Sequence, residues 1–460
     1  MEPKVDSSNL SPCTKKMEKE KKFKPSKELP SGFQDRKEKE LLIRDFVISN
    51  IKKVMIKYGF QYLETPSFEY TESIGKFLPD KDRPGKGVFS FKDEDKWLSL
   101  RYDLTAPLAR YVAKNFNEIA KPFKRYQLGT VWRNEKPGPG RYREFLQLDA
   151  DYVGTKNLQA DAELCVLISE ILQMCGLEKD DYIVNISSRK FTNKLFEKLK
   201  IKSKDQISIT LRALDKIDRL GWDEVKKLLG KGRKDKSGDF TKGANLNNEQ
   251  IKIIEKTLKS ETPNSEDILE IIKIFEAYKF KNYKFDPSVI RGLEYYTGPI
   301  FEVNLNFEVK NSKGQKIQFG SIGGGGRYDD LVSNFGNIDC PATGISIGID
   351  RLVFALIQKK DFKIKSTRPI VICVFDQKNT KNYVEILNKL RSSNISSEIY
   401  PGEGKLKKQM EYANKIESPF VIFYGEDELK KAEVKLRNLK TGKETSVKIE
   451  NLVNEIKKLI

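Results

Sequence analysis

Residues Arg125–Val153 read RYQLGTVWRNEKPGPGRYREFLQLDADYV. Two runs with strand character flank a break. The first holds Tyr126, Leu128 and Val131, and the second holds Tyr142, Phe145, Leu146 and Leu148. Between them Lys136-Pro137-Gly138-Pro139-Gly140 excludes a helix or a strand interior, because proline has no N–H for the ladder and glycine packs nothing. The stretch therefore predicts a long hairpin. It carries an unusual load of charge: Arg133 and Glu135 on one side, Arg141, Arg143, Glu144, Asp149 and Asp151 on the other. Such residues can face water and pair among themselves. An arginine that points inward from an apolar strand instead needs an anionic partner, and a polyphosphate is one. On this stretch alone both readings stay open.

Composition narrows the choice. A chain of 460 residues is long enough for roughly two to four domains. Its 85 Lys+Arg against 66 Asp+Glu give a formal charge of +19. That excess favours a polyanionic partner through counterion release, or serves as a lysine surface kept for solubility. The cysteines Cys13, Cys165, Cys175, Cys340 and Cys373 are odd in number and form no CxxC, and the chain has no histidine. Neither a zinc site nor a disulfide framework is expected, and a reducing, cytoplasmic compartment is. No apolar run approaches a membrane span, and the Lys/Glu-rich N-terminus lacks the apolar segment of a signal peptide. Without histidine, chemistry must run on carboxylates, arginines, hydroxyls, amides or the substrate itself.

Upstream of the hairpin, residues 1–28 read as a polar disordered tail, or as a basic arm toward RNA. From Asp35 to Tyr58, the spacing of Leu41, Ile43, Phe46, Val47, Ile51, Val54 and Met55 predicts a helix with one wide apolar face, and Gly59 follows as its stop. Phe60–Glu69 reads as a strand broken at Pro66. Trp97–Thr105 reads as a strand running into a cap-like Asp103/Thr105 pair and then a helix. Downstream, residues 185–284 turn Lys-, Asp-, Ser- and Asn-rich with helical apolar patches, and Gly230–Asn248 reads as a loop; this is a helical insertion. Then come Arg291-Gly292-Leu293-Glu294-Tyr295-Tyr296, four consecutive glycines at Gly323–Gly326 before Arg327-Tyr328, and Gly344-Ile345-Ser346-Ile347-Gly348-Ile349-Asp350-Arg351. Consecutive glycines let a ligand lie on bare backbone; no GK[ST] follows, so this is not a P-loop. Beyond Lys365, strands at Pro369–Phe375, Ser397–Tyr400 and Pro419–Gly425 alternate with amphipathic helices, predicting an α/β unit with a mostly parallel sheet.

Arg133-Asn134-Glu135, a turn, and Arg141-Tyr142-Arg143-Glu144-Phe145 resemble motif 2 of class II aminoacyl-tRNA synthetases. The wording RYREFLQLDAD is most similar to the histidyl branch. The helix followed by GFQYLETPSFE resembles motif 1, which builds the dimer interface, and GISIGIDRL resembles motif 3. LRYDLT, RGLEYYTGPIFE and GGGRYDDL are similar to segments of histidyl-tRNA synthetases. The resemblance spans roughly residues 30 to 460, with its motifs in order.

That resemblance implies an α+β catalytic domain on an antiparallel sheet at residues 29–184 and 285–360, interrupted by the insertion at 185–284. An anticodon-binding α/β domain at 365–460 completes the chain. It implies joining of histidine to AMP from ATP with Mg2+, then transfer to tRNA(His), in a homodimer without prosthetic group. The substrate carboxylate is the nucleophile, so catalysis is positioning and charge stabilisation. Arg133 and Arg291 would hold the α-phosphate and the substrate carboxylate. Arg351 would bind the γ-phosphate and stack on adenine. Glu135 would accept from the adenine amine, Phe145 would stack beneath it, and Arg141 and Arg143 would contact phosphates. Asp103, Thr105 and Gln147 would fix the amino group, and Asp151, with Tyr295, Tyr296 and Tyr328, would read the imidazole. No metal would be held by His or Cys. A carboxylate and a phenol suit the donor and acceptor nitrogens of neutral imidazole, and a site that bonds both discriminates by about 10⁴. The chain departs from familiar bacterial members in having Tyr-Asp-Leu-Thr for Pro-Glu-Gly-Thr and Asp151 for Glu. A runner-up is the histidine-binding regulatory subunit of ATP phosphoribosyltransferase, which commonly lacks the C-terminal domain and the full arginine set.

Overall fold

The computed structural model describes residues 26–75, 87–138, 140–234, 238–260, 262–263, 265–290, 295–311, 313–317, 319–336, 338–364 and 368–459. The chain divides into two compact units, one ending at Phe362 and one beginning at Lys363.

In the first unit the hairpin forms where the turn residues demand it. We label the strands of its main sheet β1 (Gln61–Tyr62), β2 (Phe123–Trp132), β3 (Glu144–Val153), β4 (Tyr182–Ser188), β5 (Tyr283–Phe285), β6 (Pro299–Leu305), β7 (Gly323–Arg327) and β8 (Ala342–Gly348). Their spatial order is β1-β2-β3-β8-β7-β6-β4-β5. Pairing is antiparallel from β2 through to β4. The two outermost pairs, β1/β2 and β4/β5, are parallel, so the sheet is mixed rather than purely antiparallel.

Alternation divides this sheet into two unlike faces. Leu128, Leu148, Ala150, Ile345, Ile347, Phe301 and Val303 share one face by register. Helices cover it: α1 (Glu38–Lys57), α3 (Leu158–Met174) and α4 (Ile349–Gln358) pack on one another or on the sheet, while α2 (Thr105–Lys114) lies on the opposite side, its Leu108 and Val112 clustered with Phe123 and Val153. The helix expected over 35–58 is α1, which buries Ile43, Val47, Ile51, Val54 and Met55. Ile168 of α3 sits so close to the strand that a Cβ at Gly323 would lie 2.9 Å from its Cδ1. The opposite face carries Arg125, Gln127, Gln147, Asp149 and Asp151 beside Gly344 and Gly326. One face is a core and the other is a polar floor.

Asp350, the second residue of α4, ties three segments together. It accepts from Arg36 Nε at 2.9 Å on Oδ1, from Arg36 Nη2 at 3.2 Å on Oδ2, and from the Leu146 amide at 2.6 Å on Oδ2. Arg36 also donates to the Glu144 carbonyl at 3.2 Å. The chain entering α1 is thereby fastened to the start of β3.

The predicted insertion has its own core, built from Leu195, Phe196, Leu211, Leu214, Leu228, Leu229 and Ile254. Its expected limits at 185 and 284 fall inside main-body elements. Residue 185 lies within β4, residue 284 lies within β5, and the helix Glu266–Ala277 packs on α3 and β4. Gly230–Asn248, read as a loop, contains a short hairpin of Gly232–Lys234 with Phe240–Lys242. The glycines that suggested a loop serve it: at Gly243 a Cβ would meet the Gly230 carbonyl oxygen at 2.2 Å.

The second unit is a five-stranded sheet with helices on both faces. Strands β9 (Ile370–Ile372), β10 (Ser397–Ile399) and β11 (Phe420–Phe423) are parallel, and β12 (Glu433–Asn438) and β13 (Glu444–Lys448) add an antiparallel hairpin. The sheet is therefore mixed, where a mostly parallel one was expected. The added strands are joined by a tight turn at Gly442, which antiparallel neighbours allow and parallel ones do not. Ile370, Ile372 and Ile422 face one core while Val371, Cys373 and Val421 face another. Among the described residues no helix is long and apolar enough to cross a membrane.

Asp350→Ala strips a half-buried guanidinium and a backbone amide of their partner. The expected loss is about 2–4 kcal/mol of stability in the first unit. All three tryptophans, Trp97, Trp132 and Trp222, lie in that unit, so urea unfolding followed by tryptophan fluorescence reads the loss directly.

Candidate active site

The polar floor is an acidic pocket at one end and an arginine cluster at the other. At the acidic end Asp151 is 2% exposed and lies opposite Gly344 in register. A Cβ at Gly344 would sit 2.0 Å from Asp151 Oδ1 and 3.2 Å from the Tyr328 hydroxyl, so only glycine leaves room for them. Tyr328 donates its hydroxyl to Asp151 Oδ1. Fully buried Arg125 approaches Asp151 Oδ2 with Nε at 3.3 Å and donates Nη2 to the Leu104 carbonyl at 2.7 Å. Arg125 Nη1 and Asp151 Oδ2 are buried and hydrogen-bond to nothing among the described residues.

Burial pushes the Asp151 carboxyl up to about 7; Arg125 opposes the shift, and the nearby Asp149 and Asp103 add to it. Burial also pushes the Tyr328 phenol well above its ordinary value, helped by Asp151. Tyr295 lies 4.8 Å from Tyr296 and 6.0 Å from Tyr328 between ring centres. Gly326 makes room for the second ring, since a Cβ there would be 3.0 Å from Tyr296 Cδ1.

The middle of the floor is set by helix α2. Asp103 Oδ1 accepts from the amides of Thr105 at 3.1 Å and Ala106 at 2.9 Å, so it caps that helix as its position in the sequence predicted. Burial raises its carboxyl above the usual range. Thr105 donates Oγ1 to Asp149 Oδ2 at 3.2 Å, and Gln147 donates Nε2 to Asp149 Oδ1 at 2.7 Å.

Arg133 begins the other end. Its Nη2 meets Gln147 Oε1 at 3.4 Å, its Nε donates to the Tyr102 carbonyl at 3.2 Å, and its guanidinium lies 4.5 Å from the Tyr102 ring and 5.1 Å from the Phe145 ring. Glu135 accepts from the Tyr102 hydroxyl at 2.5 Å and lies 3.8 Å from Arg141 Nη2. Arg351 lies 4.5 Å from the Phe319 ring and donates to the Phe319 carbonyl. Burial first, then the adjacent Arg141 and Arg133 against the opposing Glu302, lower the Arg351 pKa to about 10. Positive charge is thus concentrated beyond what local acids balance, which is the electrostatic form of an anion site. Arg143 is different: its Nε donates to the Glu135 carbonyl at 3.0 Å and its stem covers Gly32, so it buttresses the turn. Arg291, with Gly292, Leu293 and Glu294, lies outside the described residues, as do Pro139 and residues 1–25 of the predicted tail. Among the described residues no cluster of carboxylates and thiols is arranged to hold a metal.

The sequence model described as histidyl-tRNA synthetase matches residues 32–352, and that described as anticodon binding domain matches residues 369–459. The chain belongs to the histidyl-tRNA synthetase family. It is 47% identical to a histidine–tRNA ligase of Pelagibacter ubique, over 96% of this chain and 100% of that one. Among solved structures, the histidyl-tRNA synthetase from Nostoc sp. PCC 7120 superposes with a TM-score of 0.71 at 25% identity, covering 95% of this chain and 100% of that chain. A Bacillus halodurans structure described as an ATP phosphoribosyltransferase regulatory subunit/histidyl-tRNA synthetase shares the fold, with a TM-score of 0.62 at 23% identity over 85% of this chain and 97% of that chain.

Four residues of this synthetase site escaped the sequence reading. Asp149 and Arg125 have the same strand parity as Gln147 and Asp151, so the alternation of the hairpin carried their signal. Tyr102 and Phe319, which flank Arg133 and Arg351, had none beyond closeness to a motif.

Two buried carboxyls, Asp151 at about 7 and Asp161 at about 6, the latter raised by burial against Arg327, titrate where an ordinary Asp is fully ionised. Their raised folded-state values give stability that is complete below about pH 4 and is lost as pH rises through about 6 to 7. With no histidine in the chain, no side chain of ordinary pKa competes in that window. Ligand-free protein is therefore expected to lose urea stability from pH 5 to about pH 7 and to level off above, by at most about 1.4 kcal/mol per pH unit and group. Asp151→Asn should flatten that slope whatever its effect on absolute stability; an unchanged slope contradicts the assignment.

Proposed function

We propose that the chain activates histidine with ATP, releasing pyrophosphate, and transfers the histidyl group to the 3′ end of tRNA(His). The observation that carries this is one floor with opposite charge at its two ends, Arg133, Arg141 and Arg351 at one and Asp151 at the other, with Asp103 in the middle. A zwitterionic amino acid laid between them puts its carboxylate toward Arg133 and its ammonium toward Asp103, Thr105 and Gln147. The imidazole then reaches Asp151 and the tyrosines Tyr295, Tyr296 and Tyr328.

Within this reading the histidine carboxylate attacks the α-phosphorus of ATP, which carries Mg2+ as co-substrate. The bond to the bridging oxygen breaks and pyrophosphate leaves. No protein base is needed, in keeping with a chain that has no histidine. Arg133 and Arg291 neutralise charge at the α-phosphorus and hold the carboxylate, and Arg351 takes the γ-phosphate while its plane and Phe145 sandwich the adenine. Glu135 accepts from the adenine amine. Arg141, at the tip of the hairpin, contacts phosphates of ATP or of the tRNA end. Arg143 is reassigned from phosphate contact to holding that tip in place, because its Nε is already committed to the Glu135 carbonyl.

The wider assignments follow the same reading. The sheet of the first unit is the class II catalytic sheet, the helices around residues 189–258 form the insertion, and the unit from Lys363 onward reads the anticodon in the cytoplasm. A homodimer is supported by exposed aromatic rings: Phe68, Tyr70, Phe91 and Trp97 share the small sheet after the motif 1 strand, each more than two-fifths exposed. The regulatory-subunit reading is disfavoured by the retained Arg133 and Arg351 and by the second unit.

ATP–pyrophosphate exchange assayed with each of the twenty amino acids, without tRNA, tests the proposal. Exchange with histidine alone is expected, and Arg133→Met or Arg351→Met should each lower its rate by about 10²–10³ while leaving the unfolding midpoint nearly unchanged. Histidine binding without exchange in the unmodified protein overturns the proposal in favour of a regulatory role.

A further inference from the structure

Asp149 is the least exposed carboxylate of the floor, at 0%, and no part of the reaction outlined above uses it. It touches neither end of the site directly. Its two oxygens are each engaged by a side chain that the proposed reading assigns to the substrate's amino group: Oδ2 by the Thr105 hydroxyl at 3.2 Å and Oδ1 by the Gln147 amide nitrogen at 2.7 Å. Both partners are ambivalent groups. A threonine hydroxyl donates or accepts, and a glutamine amide presents either its oxygen or its NH₂. An ionised carboxylate is not ambivalent, because it only accepts.

We propose that Asp149 is a positioning residue that sets the hydrogen-bond polarity of the ammonium pocket. By absorbing the Thr105 O–H and the Gln147 N–H, it turns the lone pairs of Thr105 Oγ1 and the carbonyl oxygen of Gln147 toward the substrate. Gln147 Oε1 already faces away from Asp149, meeting Arg133 Nη2 at 3.4 Å. The second oxygen of Asp103 takes no hydrogen bond from the described residues, its Oδ1 being used by the Thr105 and Ala106 amides. An –NH₃⁺ offers three donors and no acceptor. The arrangement presents it with three acceptors: Thr105 Oγ1, Gln147 Oε1 and Asp103 Oδ2. Without a buried anion behind them, Thr105 and Gln147 would be free to rotate a donor into the pocket, where it would oppose the ammonium.

This inference rests on the reading of Asp103, Thr105 and Gln147 as the amino-group site, and the test separates the two. Three ligands are compared by histidine KM or by inhibition of histidine-dependent exchange: histidine, histidinol (ammonium and imidazole, no carboxylate) and imidazolepropionate (imidazole and carboxylate, no ammonium). Asp149→Asn keeps size and shape but brings a donor. It is expected to weaken histidine and histidinol alike, by roughly 10- to 100-fold as for a disrupted charged hydrogen bond, with imidazolepropionate and the KM for ATP within about twofold. Asp149→Glu, which keeps both acceptor oxygens but displaces them, should show the same selectivity with a smaller factor, and it decides the matter if the Asn variant does not fold. Equal weakening of all three ligands, or of none, overturns the proposal. Thr105→Val isolates the underlying reading: if it is selective for the ammonium ligands while the Asp149 variants are not, only the polarity role fails. If it too is indifferent to the ammonium, the amino-group site itself is misplaced.

Discussion

A carboxylate rests on bare backbone at the centre of the main sheet. Asp151 projects from β3 across the neighbouring strand at Gly344, in a space that a single methyl group would fill. This contact fixes much else. The carboxylate must stay within reach of Arg125 and Tyr328, so residues on β2 and after β7 have to converge on it. The adjacent strands must then be poor in side chains on that face, which they are at Gly326, Gly344 and Gly348. Apolar packing on that face is displaced to its margin, where Phe123, Val153 and Ala342 cluster with Leu108 and Val112 of α2. The opposite face, with Leu148, Ala150, Ile345 and Ile347, lies under helices α3 and α4.

How far the sequence foretold this depended on the kind of signal. The hairpin was legible because proline and glycine leave the backbone few choices. The helix α1 was legible because its buried residues recur at helical spacing, and Asp103 because a carboxylate two residues before a helix is a cap wherever it lies. The edges of the insertion were not legible. Residue composition changes gradually there, while strand pairing is decided by partners far away: β5 joins the main sheet through β4, about a hundred residues earlier. The antiparallel hairpin of the second unit was missed for a related reason, since a short amphipathic strand beside a parallel sheet looks alike in either direction. Within the site, Asp149 was visible in the sequence only as one more charge on the hairpin, on the same face as Gln147 and Asp151; its meaning lies in what it makes two neighbours do.

The arginine end obeys a different logic from the acid end. Carboxylates are gathered with hydroxyls, amides and one guanidinium, which satisfy both oxygens of Asp149 and one oxygen each of Asp103 and Asp151. Arg133 and Arg351 are gathered on aromatic rings and carbonyl oxygens, which orient cations without neutralising them, and Arg141 lies near the single carboxylate of Glu135. The pKa of Arg351 is depressed first by burial and then by Arg141 and Arg133. Mutual repulsion is built in before any ligand arrives. In the proposed reading a polyphosphate would relieve it, so that nucleotide binding would gain from release of that repulsion as well as from new contacts. Removing one arginine would lessen both.

The absence of histidine from a chain that resembles histidine-activating enzymes has a physical consequence for how its pocket works. In the proposed reading an imidazole held by Asp151 would be the only imidazole present, so proton exchange near neutrality would involve the ligand and the buried carboxyl, which burial raises toward neutrality. A proton shared between the two would keep a donor in the contact whichever partner carried it, and such a pair costs less to bury than two separated ions. Tyr328 then completes the contact on the other oxygen, with its own proton firmly retained because burial and Asp151 both raise its pKa. A longer carboxylate arm would have to bend away from Gly344 to make the same contact, and that gives the shorter Asp151 in this chain a geometric reason: the aspartate fits the gap the glycine leaves.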